Sequence, residues 1–67
     1  MASVYLVIGP GPSSASRELG TVDVQTGRVR RTGLVVPLPS LDVEVRKLKQ
    51  TLERAGNHVE VREYGQW

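Results

Sequence analysis

The sequence contains no cysteine, no phenylalanine and a single histidine, and its aromatic residues are two Tyr and one Trp. Each shortage excludes something. Without cysteine there is no disulfide staple and no thiolate cage for a metal. One imidazole, His58, does not make a zinc site, which needs further nitrogen or oxygen ligands around it. Without Phe, a core must be assembled almost entirely from aliphatic side chains. Long apolar runs are missing too. The longest, VYLVI at residues 4–8, falls far short of the roughly 20 apolar residues that cross a bilayer. It also lacks the preceding basic residues of a secretory leader. Cytoplasmic residence without membrane contact is therefore the expectation. Neither charge sign dominates, since nine basic and seven acidic residues leave a net charge of +2. That balance does not argue for nucleic acid by itself.

What is present is one helical pattern. In residues 40–56, SLDVEVRKLKQTLERAG, the residues Leu41, Val45, Leu48, Leu52 and Ala55 recur at steps of four and three, one stripe of a 3.6-residue period. Ser40 is the expected amino-terminal cap, Asp42 sits at the positive end, and Gly56 is suited to the left-handed closing position. Val43 points away from the stripe. Leu41, Val43 and Val45 also alternate like a strand, but the stripe continues for three further turns and favours helix.

The rest of the chain reads as strands. Residues 4–8 are apolar on both faces, Val4, Leu6 and Ile8 on one and Tyr5 and Val7 on the other, which suits a central strand. Gly9-Pro10-Gly11-Pro12 ends it, and residues 9–20 read as one long Gly/Pro/Ser loop. Residues 21–31, TVDVQTGRVRR, form a hairpin. With Thr26-Gly27 at the tip, Val24 faces Val29 and Asp23 faces Arg30; a longer loop with Gly27 in the left-handed position is the competing register. Residues 34–38, LVVPL, read as a short extended segment, with continuation of the second hairpin strand past a bulge at Thr32-Gly33 as the alternative. Residues 57–64 alternate as a last strand, and residues 65–67 are a tail. The expected fold class is α+β: a small three- to four-stranded mixed sheet in β-β-β-α-β order, with one amphipathic helix packed on one face. A single domain covers residues 1–67. Strand, helix and strand at the end suggest a crossover between parallel neighbours.

Functional signals are sparse. No serine has a base and an orienting carboxylate close by in sequence, and the carboxylate pairs Glu60/Glu63 and Asp42/Glu44 lack apolar surroundings that would raise one pKa. The Gly-Pro-Gly-Pro-Ser-Ser stretch follows a strand as a phosphate loop does, but its prolines remove donors and no lysine is near. The chain is therefore expected to be non-enzymatic, with no catalytic residues, no cofactor, no metal and no small-molecule substrate. Two binding surfaces remain. Tyr5 and Val7, on the sheet face that the helix leaves uncovered, and Tyr64 and Trp67, at the end of the chain, are candidates for a protein interface, with Trp67 folded back onto its own sheet as the competing reading. A homo-oligomer or a protein partner is the leading expectation, because 67 residues can build only one small core. The alternative is nucleic acid, contacted by Arg28, Arg30 and Arg31 on the hairpin and by Arg46, Lys47, Lys49 and Arg54 on the helix. Asp23 would offset Arg30, Asp42 would pair with Arg46, and Lys49 with Glu53. Three strands followed by a helix, with Thr26-Gly27-Arg28 at the turn, is a layout that resembles the small amino-terminal DNA-binding modules of some phage integrases. That resemblance implies a hairpin that contacts DNA.

Overall fold

The alternation and the helical stripe translate into five regular elements and one short turn. The computed structural model describes residues 2–66. In chain order they are β1 (Ala2–Pro10), β2 (Ser16–Asp23), β3 (Val29–Pro37), a 3-10 turn (Leu38–Ser40), α1 (Leu41–Arg54) and β4 (Asn57–Glu63). The strands form one mixed sheet in the order β3-β2-β1-β4. β1–β2 and β2–β3 are antiparallel, and β1–β4 is parallel. The α+β class and the β-β-β-α-β order follow as expected.

β1 is central because both of its faces are apolar. Leu6 and Ile8 lie on the helix-covered face, and Val7 lies on the other; Leu6 and Val7 are fully buried. On the helix side, Ile8, Leu19 and Val36 from three adjacent strands form the buried cluster, and Leu41, Val45 and Leu48 pack against it. The helical stripe thus faces the sheet, but its residues are only half-buried, and Ala55 is exposed. Burial is deepest in the sheet.

Five expectations need correction. The loop of residues 9–20 shrinks to residues 11–15, because Ser16–Asp23 runs antiparallel to β1 with Leu19 opposite Ile8. Serine and glycine are poor strand formers, yet a buried Leu19 between two apolar neighbours outweighs local preference. The hairpin takes the longer loop. Val22 faces Val29, and Asp23 accepts from Gly27 and donates to Arg28 through the backbone. Gly27 has φ 70°, and the Asp23 carboxylate holds the turn by accepting from the amides of Gln25 and Thr26. The shift from the expected pairing is two residues, so no side chain changes face. The helix crosses between opposite edges of the sheet, not between neighbours: β3 and β4 are separated by β2 and β1. Ser40 makes no side-chain cap, because the preceding 3-10 turn already gives it helical dihedrals. The charge pairs differ as well. Asp23 is engaged by its own turn, and the helix carries Glu44–Lys47 at 3.8 Å, not the pairs Asp42–Arg46 and Lys49–Glu53.

Of the two arrangements open for residues 34–38, the structure takes the continuous strand with a bulge. Glu18 faces Val35 and Gly20 faces Arg31, so residues 32–34 oppose Leu19 alone. Gly33 supplies the left-handed turn at φ 75°. The Thr32 hydroxyl donates to the Leu19 carbonyl at 2.7 Å and accepts from the Leu34 amide at 3.2 Å, replacing the interrupted ladder.

Candidate functional site

The face opposite the helix is not the open apolar surface that Tyr5 and Val7 suggested. The Arg62 guanidinium lies 4.1 Å from the centre of the Tyr5 ring. Arg62 also sits 3.5 Å from Glu60. On the neighbouring strands, Arg31 forks onto Glu18 through Nε and an Nη at 2.7 and 2.8 Å. This fork holds the Glu18 carboxyl below the usual carboxylate range, mainly through the Arg31 hydrogen bond. The same contact raises the Arg31 pKa. The stems of two arginines thus run along this face, and Val7 and Val22, which share it, are buried. Val7, expected at an exposed surface, is therefore part of the buried core of the chain. Tyr5 and Tyr64 are half-buried. The Tyr64 amide donates to the Ile8 carbonyl and extends the β1–β4 ladder. Trp67, the fourth residue expected at an interface, lies outside the described residues.

The basic residues divide. Arg31 is tied to Glu18. Arg28 and Arg30 have no ion-pair partner among the described residues. They line a cleft of about 360 Å³ with Val4, Thr21, Asp23, Thr26 and Leu52. On the helix, Arg46, Lys47 and Arg54 are exposed and Lys49 is half-buried. A second cleft joins residues 10–14 to Arg17 and Tyr64. There the Arg17 guanidinium donates to the carbonyls of Ser14 and Ser16 and ties the loop instead of facing a ligand. His58 is exposed on β4. Among the described residues no group of His, Asp and Glu is arranged to hold a metal ion, and no helix is long and apolar enough to cross a membrane.

The two outer strands of the sheet differ in a way that sequence reading missed. Along β3, the Leu38 amide donates to Ala15 and the Arg28 carbonyl accepts from Asp23. Alternation then turns the backbone groups of Val29, Arg31, Val35 and Pro37 outward. This edge is broken by the bulge and ends on a proline that has no hydrogen to donate. β4 has neither obstruction. Because Tyr64 donates to Ile8, the amides and carbonyls of Asn57, Val59, Val61 and Glu63 point away from β1. Val61, which shares the helix-covered face, is 41 % exposed, so the helix leaves this edge open. The signal in the sequence is that NHVEVRE carries no Pro and no Gly across a full strand length.

Comparison of the chain with protein-family models, with curated proteins and with solved structures finds no match.

Proposed function

We propose that this chain is a small non-catalytic protein-contact module that associates with itself. The observation that carries this reading is the open β4 edge. Along a seven-residue strand, Asn57, Val59, Val61 and Glu63 present an uninterrupted row of outward backbone donors and acceptors, beside an exposed valine. Proteins ordinarily blunt such an edge, because it is a template for pairing with another strand. The β3 edge of this same chain is blunted, by its bulge and by Pro37. A domain with few large side chains also gains stability from an extra covered edge. Sedimentation velocity between micromolar and near-millimolar concentration is the test. A species heavier than one chain that grows with concentration supports the reading; a monomer throughout refutes it.

A second reading rests on Arg28 and Arg30, two hairpin cations without ion-pair partners among the described residues, beside Thr21 and Thr26. They could contact phosphates of a nucleic acid. If so, duplex DNA binds at low salt with affinity that falls steeply as salt rises, and R28A/R30A abolishes it. No binding at low salt removes this reading.

A further inference from the structure

The self-association proposed above names the β4 edge but leaves strand direction and register open, and the side chains of β4 narrow both. We infer that two copies join through their β4 strands in antiparallel register, with Val61 opposite Val61 of the second copy, giving one continuous eight-stranded sheet with both helices on the same face. This inference rests on the self-association reading and adds the residues that carry it.

The argument is one of charge. On the face opposite the helix, β4 presents His58, Glu60, Arg62 and then Tyr64. The pairing centred on Val61 sets Glu60 against Arg62 of the second copy and Arg62 against Glu60 of the second copy, two cross-strand ion pairs related by the dyad. Moving the centre by one residue in either direction opposes Glu60 to itself or Arg62 to itself, and like charges directly opposite are unfavourable. A parallel in-register pairing also sets each residue beside its own kind. The outward backbone groups agree with the chosen centre. Val59, Val61 and Glu63 point away from β1, so Val61 meets its copy as a hydrogen-bonded pair, and Val59 meets Glu63 in the same way. On the helix-covered face the pairing covers Val61, the most exposed apolar residue of β4. Glu60 and Arg62 are each about half exposed and 3.5 Å apart within one chain, so both remain available across the dyad. β3 offers no such match. Its charges, Arg30 and Arg31 with Arg28 before them, are all positive, and a second copy would bring no carboxylate to meet them.

The absence of cysteine makes the register directly testable. Opposed residues of a hydrogen-bonded antiparallel pair have Cα atoms about 5.5 Å apart, within the roughly 4.4–6.8 Å that a disulfide spans. V61C should therefore convert to a covalent dimer with oxidised glutathione, while V24C, at the exposed hairpin tip, should stay monomeric on denaturing gels. Separately, E60R should weaken dimerisation about tenfold or more by gathering four arginines at the dyad. The exchange E60R/R62E should restore it, because each introduced arginine then meets an introduced glutamate of the second copy, with the two signs simply swapped. Cross-linking of V61C together with rescue by the exchange supports the register. If wild type is monomeric at all concentrations, the self-association reading itself fails. If wild type dimerises but V61C does not cross-link, or the exchange does not rescue E60R, the copies meet elsewhere and this inference alone is overturned.

Discussion

Truncating one core leucine in the sheet and one in the helix tests where the stability resides. Leu19 is fully buried between Ile8 and Val36, whereas Leu48 packs on the same cluster from above and remains half-buried. Leu19→Ala removes a side chain that solvent does not reach and leaves a cavity, so the loss is about 3–4 kcal/mol. Leu48→Ala opens onto solvent that fills the space, and only partial burial is lost, about 1–2 kcal/mol. For a domain of this size the total stability is roughly 3–10 kcal/mol. Leu19→Ala should then lose about a third of that stability or more, and be largely unfolded at room temperature only if the total lies at the low end of the range. Leu48→Ala should fold with a Tm lower by about 5–15 °C. Urea titration followed by circular dichroism, at one fixed protein concentration so that association does not differ between samples, measures both. A Leu48→Ala loss equal to or larger than that of Leu19→Ala would refute a sheet-centred core.

Substitutions at two further positions probe the polar contacts. Glu18 has its pKa lowered in the folded state by Arg31, so its contribution to stability is present above the ordinary carboxyl value and is lost as pH falls through the lowered one. Glu18→Gln should therefore be less stable than wild type at neutral pH and show a shallower loss between roughly pH 5 and pH 2; equal pH slopes in the urea midpoints would contradict the pairing. Thr32→Val keeps the shape but removes the hydroxyl that serves both Leu19 and Leu34, at a cost of about 1–2 kcal/mol. Thr32→Ser should retain most of that stability, and a Ser variant as unstable as Val would show that the hydroxyl does not bridge the bulge.

Much of the fold was legible because local patterns are strong where one face must be apolar. The steps of four and three from Leu41 to Leu52 define the helix. The double-sided run from Val4 to Ile8 defines a central strand, and Gly27 and Gly33 mark the turn and the bulge, where only glycine adopts the required dihedrals without strain. The first half of β2 was not legible. Ser16 to Gly20 carries one large apolar residue, and only the pairing of Leu19 with Ile8 makes it a strand. The Glu18–Arg31 fork spans thirteen positions in the chain, and no local pattern announces a contact of that range.

The candidate surfaces divide along the same line. Residue types and their alternation were set by the sequence alone: which side of each strand is apolar, that β4 carries Glu60 and Arg62 on one side, and that β3 ends on proline. Only the tertiary arrangement decided that Val7 is covered, that Arg31 is occupied while Arg28 and Arg30 have no ion-pair partner among the described residues, and that β4 ends the sheet with its backbone open. The physical reason is that alternation is a property of one strand, whereas being an edge depends on which neighbour is missing, and that depends on the path of the whole chain.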